Sequence, residues 1–267
     1  MPIIDVDHVR RLFDEQVRRG TASDGTGTVV TAAAQVVRWC ADGDVGWSEI
    51  AWSKLDDDVA DEVIADQVAF FTSKAQGFAW RVYDADQPED LGARLECAGL
   101  HLSYTSELMI AQVADVPRGV DLPTGTSLVS ANDPTGIERL IEVHERVFEL
   151  DHSQLRRSLL AQLANAPEKR ELFVVMAGDV PVASARVDFL PDREFASLWG
   201  GSTLREWRGR GLFRALVAHR ADAAASRGYR YLYVTASSQS RPVLERLGFA
   251  SFGSVVTFMW EPPSPLP

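Results

Sequence analysis

A chain of 267 residues, 46% hydrophobic and 24% charged, has the composition of a globular protein and the length of two ordinary domains rather than one. Its net charge of -11 argues against general attraction to nucleic acid or anionic lipid, which requires clustered Lys and Arg to neutralise phosphate. No stretch approaches the roughly 18 apolar residues of a membrane span, and Met1-Pro2-Ile3-Ile4-Asp5 lacks the basic-then-apolar order of a secretion signal, so a cytoplasmic location is expected.

In chain order, Val6, Val9, Phe13 and Val17 recur at helical spacing over Asp5 to Arg19, and Gly20 ends the pattern. Thr28 to Trp39 is β-rich, Ala41 to Gly46 has turn chemistry, and Trp47 to Trp52 reads as the returning arm of a hairpin. A helix is predicted over Asp57 to Lys74, with Val59, Val63, Val68 and Phe71 inward and Gly77 as its stop. A strand follows at Phe78 to Tyr83, then a short helix from Pro88 closed by Gly99, and a strand at Leu108 to Val113. Asp115 to Thr126 holds Pro117, Gly119, Pro123 and Gly125, the punctuation of a linker.

The order then begins again. Ser127 to Val129 is a short strand, and Pro134 to Val147 and Ser153 to Leu163 are helices. Leu172 to Ala177, Val182 to Phe189 and Phe195 to Thr203 form an antiparallel meander whose first turn is Gly178-Asp179. A helix from Gly211 to Arg227 is capped by Gly228; a strand at Tyr229 to Thr235, a short helix at Ser240 to Arg246 with Gly248 as its cap, and a strand at Ser254 to Trp260 complete the half. Leu95-Glu96-Cys97-Ala98-Gly99-Leu100 matches Leu244-Glu245-Arg246-Leu247-Gly248-Phe249, and Gly77-Phe78 matches Gly228-Tyr229, so a duplicated domain is expected. The boundaries that follow are residues 1–116, a linker at 117–126, residues 127–261 and a tail at 262–267. Cys40 and Cys97 form no CxxC pair and have no His spacing for zinc; buried free thiols and no metal site are expected.

Chemistry concentrates in Trp199-Gly200-Gly201-Ser202-Thr203-Leu204-Arg205-Glu206-Trp207-Arg208-Gly209-Arg210-Gly211-Leu212-Phe213-Arg214, where a strand ends in a glycine-rich turn and an amphipathic helix starts. Leu204 to Arg220 holds five Arg (205, 208, 210, 214 and 220) against one Glu (206), a local charge of +4 in an acidic protein. Amides at a helix start lack intrahelical partners and present the positive end of the peptide dipoles, so a diphosphate can sit there. Gly209 and Gly211 let the backbone approach it, and Arg208 and Arg210 add charge-assisted bonds. A P-loop needs Gly-Lys-Ser or Gly-Lys-Thr, which is missing, and a dinucleotide fingerprint is only partly met.

These residues resemble the GNAT superfamily of acyl-CoA-dependent N-acetyltransferases, whose signature is Arg or Gln, two residues, Gly, one residue, then Gly or Ala. Arg208 and Gly211 match, Phe213 departs from it, and Ser240 to Phe249 is similar to the family's closing helix and its Leu-Gly-Phe ending. The resemblance covers about residues 127–260, with a weaker echo over 28–113. It implies a mixed α+β fold of two tandem GNAT-like domains, each a mostly antiparallel mixed sheet flanked by helices, the N-terminal copy degenerate. It further implies that acetyl-CoA, or another acyl-CoA, lies along backbone groups of Gly201, Ser202 and Thr203, with its pyrophosphate on Arg208, Gly209, Arg210, Gly211, Leu212, Phe213 and Arg214. Ser237 stands where the family often has an Asn for the pantetheine arm. In the N-terminal copy Asp56, Asp57 and Asp58 occupy the phosphate-loop position; they suit a helix start and repel a diphosphate.

Direct acyl transfer to a primary amine of a small molecule or peptide needs a base for the ammonium and a proton for the departing thiolate. Asp188 and Glu194 are the carboxylates available near the strand ending at Thr203. Leu244 occupies the position of the family's usual Tyr acid, leaving Ser240 and Tyr233 as candidate donors. His144, His152 and His219 lie on predicted helices without a partner pattern and are given no chemistry. An acyl-CoA-binding protein without turnover would share this sequence pattern, and a monomer and a homodimer are both compatible with it.

Overall fold

The computed structural model describes residues 5–24, 26, 29–32, 35–41 and 47–262. They separate into two compact units. The first comprises the described residues within Met1–Ser23, Gly27–Leu108 and Phe252–Pro267, and the second those within Asp24–Thr26 and Met109–Ser251. Most of the turn expected at Ala41 to Gly46 lies outside the described residues.

In the first unit, helix α1 (Val6–Phe13) begins on Asp5, whose carboxylate accepts the His8 amide at 3.0 Å, and runs into a π-helical turn, Asp14–Arg18. The sheet follows the order β1 (Val29–Ala32), β2 (Val36–Cys40), β3 (Glu49–Ser53), β4 (Phe78–Tyr83), β11 (Ala250–Trp260). Neighbours are antiparallel except β3 and β4, which are parallel. Helices α2 (Ala60–Ser73) and α3 (Leu91–Cys97) cover its core, where Phe71 stacks on Phe78 at 4.3 Å and Trp80, Leu91, Leu95 and Trp260 are buried. The buried stripe of α2 is Ala60, Ile64, Gln67 and Phe71, rotated from the Val-lined face expected, because Val63 and Val68 only border the core.

In the second unit the order is the Met109–Gln112 end of β5 (His101–Gln112), then β10 (Tyr231–Ala236), β9 (Phe195–Thr203), β8 (Val180–Phe189), β7 (Arg170–Ala177), β6 (Ser127–Ser130). The meander β7, β8 and β9 is antiparallel as predicted, and β9 and β10 are parallel. On one face α4 (Pro134–Phe148) and α5 (Ser153–Asn165) pack Ile137, Leu140, Ile141 and Leu159 against Leu172, Val174 and Met176 of β7. On the other, α6 (Leu212–Ser226) lays Val217, Ala221 and Ala224 against Val187, Phe189, Ala196 and Leu198, its small residues letting helix and sheet approach. The short helix α7 (Arg241–Arg246) adds Leu244 to that core.

The duplication is visible in geometry. Helices α3 and α7 end alike: Gly99 (φ 89°) and Leu100 donate to Glu96 and Leu95, and Gly248 (φ 91°) and Phe249 donate to Glu245 and Leu244. At the ends of α2 and α6 the equivalent residues are Ala75 (φ 50°) and Gly228 (φ 78°). This corrects the match of Gly77 with Gly228, since Gly77 instead gives room to the Trp260 carbonyl, 3.0 Å from where its Cβ would lie. The final strand also departs from the linear boundaries, because the described part of Phe252–Pro267 belongs to the first unit and pairs with β4, Val255 opposite Tyr83 through Trp260 opposite Phe78. Of the two thiols Cys40 is buried, whereas Cys97 is exposed.

Candidate active site

In the second unit β9 and β10 pair only through Tyr231 with Phe195, Leu232 with Ala196 and Tyr233 with Ser197. Beyond that point both strands continue while β9 stays bonded to β8, so a fork opens along Leu198–Thr203. The register of β8 on β9 shifts between Ser184 and Arg186, opposite Trp199–Ser202, and Gly200 takes φ 57°. The result is a bulge at the mouth of the fork, which re-aims the strand.

At the end of β9 the chain makes a 3-10 turn, Arg205–Trp207, and enters the glycine turn. Gly209 (φ 75°) and Gly211 (φ 87°) both adopt left-handed backbone, and a Cβ at either would meet nothing within 4 Å. Gly211 is the N-cap residue of α6, no side chain caps the helix, and the first intrahelical donor is Ala215, to the Gly211 carbonyl at 3.0 Å. The amides of the first turn are thus left for a ligand. Arg208, Arg210 and Arg214 are exposed around them; Arg208 donates to the Thr203 carbonyl at 3.2 Å, and Arg210 lies 4.6 Å from the Trp207 ring. The fifth arginine of the basic segment, Arg220, is only 2% exposed and is not part of this surface.

Along β9 the hydroxyls of Ser202 and Thr203 are buried with no partner among the described residues. Phe213 packs across Gly201: a Cβ there would come within 3.0 Å of its ring. The departure from the family signature at Phe213 is thus matched by the missing side chain at Gly201. A diphosphate needs an open, donor-rich cradle of positive potential and a pantetheine-like arm needs unpaired strand groups, so the residues present fit an acyl-CoA.

The sheet separates the catalytic candidates. Asp188 lies opposite both Ser197 and Arg170, and Ser197 lies opposite Tyr233, which sets Arg170, Asp188, Ser197 and Tyr233 in one row at the fork, on the face of α4 and α5. Asp188 is half-buried with Arg186 Nε at 3.2 Å, and Tyr233 is partly exposed. Glu194 precedes the closed end of the strand pair, faces Arg230 at 3.2 Å, and lies six residues before Gly200, on the order of 20 Å along the strand. It is out of reach of a group held at the bulge. Ser240 does not cap α7 through its side chain; its amide donates to Ser237 Oγ at 3.3 Å, and the two hydroxyls are 3.2 Å apart, so Ser237 and Ser240 are coupled to one another.

Two residues beside the bulge escape a sequence reading. His144 of α4, 6% exposed, donates from Nε2 to the Gly200 carbonyl at 3.2 Å. Burial, reinforced by His152 and Arg186 and opposed by that hydrogen bond, pushes its pKa down to about 4, so the ring is neutral at pH 7. Arg220 of α6 donates to the carbonyls of Leu216 at 3.0 Å and of Arg186 and Trp199 at 3.4 Å, and burial pushes its pKa down to about 9. The one available signal was the consecutive pair Gly200-Gly201 inside a strand, which marks a bulge or a close approach.

The first unit holds the same fork in another state. Strands β3 and β4 pair through Glu49 with Ala79 and Ile50 with Trp80 only, and the next carbonyl, of Ala51, accepts Arg18 Nε at 3.3 Å. Arg18 also forms a bidentate bond to Asp86 at 2.8 and 2.9 Å and lies 4.0 Å from the Tyr83 ring. At the loop before α2, Asp56 accepts the amides of Asp58 and Val59 at 3.1 Å, and Asp57 binds Arg94 at 2.8 Å. The chain's own groups fill this copy.

Residues 137–249 match the family model described as Acetyltransferase (GNAT) family. The chain is similar in fold to a GCN5-related N-acetyltransferase from Kribbella flavida (TM-score 0.69, 17% identity, 98% of this chain and 97% of that one). A tandem GNAT protein from the clavulanic acid biosynthesis pathway (0.61, 16%, 99% and 90%) and a GCN5-related N-acetyltransferase from Sphaerobacter thermophilus (0.58, 16%, 98% and 94%) are similar over comparable lengths. No curated protein matches. Residues 137–249 are thus a domain of the GNAT acetyltransferase type, on a fold shared with these structures. GNAT acetyltransferases as a family use acetyl-CoA and act on amine acceptors. Among the described residues no helix is long and apolar enough to cross a membrane.

Proposed function

We propose that the second unit transfers an acetyl group from acetyl-CoA to a primary amine of a small molecule or peptide, and that the first unit binds no acyl-CoA. The observation that carries this reading is the uncapped start of α6, with Gly209 and Gly211 open above it, at the end of the forked strand β9. Arg208, Arg210, Arg214 and the amides of residues 209–214 hold the pyrophosphate. Gly201, Ser202 and Thr203 hold the pantetheine arm, and Ser237, at the end of β10, faces the same ligand.

The amine nitrogen bonds to the thioester carbonyl carbon as the carbon–sulfur bond breaks. One proton leaves the ammonium before attack; after attack the nitrogen gives up a second as the thiolate takes one, so one proton is released overall. Asp188, at the fork, is the base, directly or through water, and Tyr233 in the same row is the acid; positioning supplies much of the rate. In the first unit, Arg18 in the fork and the acidic loop at Asp56 exclude the ligand. Calorimetry should give one equivalent of acetyl-CoA per chain, and an amine panel should release free CoA with a rate reduced at least tenfold in Asp188→Asn. Two equivalents, or no binding, would overturn the assignment.

A further inference from the structure

The bulge in β9 is held from both sides of the sheet. From the α4 face, His144 Nε2 reaches the Gly200 carbonyl at 3.2 Å; from the α6 face, Arg220 Nη1 reaches the Trp199 carbonyl at 3.4 Å. These are consecutive carbonyls, so the peptide group from Trp199 to Gly200 and the one from Gly200 to Gly201 each have a buried side-chain donor. The packing is close enough to require both glycines. A Cβ on Gly200 would lie 3.1 Å from His144, and one on Gly201 would lie 3.0 Å from Phe213 and 3.7 Å from Arg220 Nη2.

Arg220 poses the sharper question. A guanidinium 2% exposed normally has a carboxylate beside it, because an isolated buried charge is costly. Among the described residues Arg220 has backbone carbonyls instead, those of Leu216, Arg186 and Trp199. A shorter apolar residue could fill a helix–sheet interface of alanines and valines without that cost, so the charge is retained for something other than packing. A donor at a carbonyl polarises the whole peptide group and makes its N–H a stronger donor in turn. Here both peptide groups of the bulge are treated in this way, one by a cation and one by a neutral imidazole.

We propose that His144 and Arg220 are positioning residues for acyl transfer, fixing and polarising the two peptide groups of the β9 bulge against which the thioester carbonyl is held. The inference rests on the acetyl-CoA site proposed above. It assigns His144 and Arg220 a role in rate, separate from the role of the α6 start in affinity. Charge that develops on the carbonyl oxygen during attack is stabilised by donors already oriented and strengthened, which lowers the barrier more than it tightens binding.

The test needs no knowledge of the amine. Acetyl-CoA labelled with carbon-13 at the acetyl carbonyl is bound to the wild-type protein and to His144→Leu, His144→Gln, Arg220→Met and Arg220→Lys, and the carbonyl stretch is read by infrared difference spectroscopy alongside the Kd. In the wild type the stretch should fall to lower wavenumber than in free acetyl-CoA. His144→Leu and Arg220→Met should lose that downshift while Kd changes by less than about threefold, since the phosphate cradle is untouched. His144→Gln and Arg220→Lys, which keep a donor, should recover part of it and also guard against a variant that fails to fold. A downshift unchanged in variants that still bind acetyl-CoA overturns the inference alone. Absence of binding in the wild type overturns the underlying site assignment.

Discussion

His144 has lost its proton in the folded protein under conditions where an exposed histidine keeps one. Its pKa is pushed from 6.5 to about 4, so between those values the unfolded chain binds a proton that the native state does not. Stability therefore rises with pH through that window, is fully present above about pH 6.5, and is lost as pH falls toward 4, by about 2 to 3 kcal/mol. His144→Gln keeps a donor for Gly200 and cannot titrate. Urea unfolding at pH 7 and pH 4.5 should show the wild type losing about 2 kcal/mol more than the variant over that interval; equal losses would mean that the ring is protonated without penalty. None of this is visible in one dimension, because His144 has no motif around it and earns its place only when α4 is laid on Gly200. Register likewise divides two carboxylates that look equivalent in the sequence: Asp188 falls opposite Ser197 at the fork, and Glu194 falls at the closed end with Arg230.

At the scale of elements, glycine turns and helix starts were the most legible features, since their chemistry is local. The meander from β7 to β9, the helix α6 and its glycine turn follow directly from residue types at short spacing. What stayed hidden depends on partners far along the chain. Strand β5 begins at His101 rather than Leu108, and its first five residues are exposed, so no buried pattern marks that start in the sequence. Ala75, not Gly77, takes the left-handed backbone after α2, a choice made by the tertiary fit of Gly77 beneath Trp260. The α6 start can be tested as an element with Gly211→Trp, which places an indole in the open space over the helix amides. Strain at φ 87° should cost about 1–2 kcal/mol, and the variant should keep its circular dichroism while acetyl-CoA no longer raises its melting temperature. An undiminished rise would place the ligand elsewhere.

At the scale of the whole molecule, sequence order and compact units do not coincide. Linear boundaries assign Ser254 to Trp260 to the second domain, as any reading of consecutive elements must, but hydrogen bonding is indifferent to order along the chain. Residues of β11 from Phe252 onward complete the first unit, and Met109–Gln112 of β5 belong to the second. Each unit thus receives a strand encoded in the other half, a feature that duplication alone does not announce. Trp260 makes this testable because it is 7% exposed, tilts against Phe78 at 5.8 Å, and sits in a cluster with Phe71, Trp80 and Leu95. Trp260→Ala should cost about 3–5 kcal/mol, and the loss should appear in the N-terminal half although the mutation lies at the C-terminal end. Hydrogen exchange would then speed up in α2 and Phe78–Tyr83 before it does in α6 and β10, because exchange follows the local unit that has lost its core. Faster exchange confined to α6 and β10 would mean that the last strand stabilises the unit that precedes it in sequence, as the linear boundaries imply.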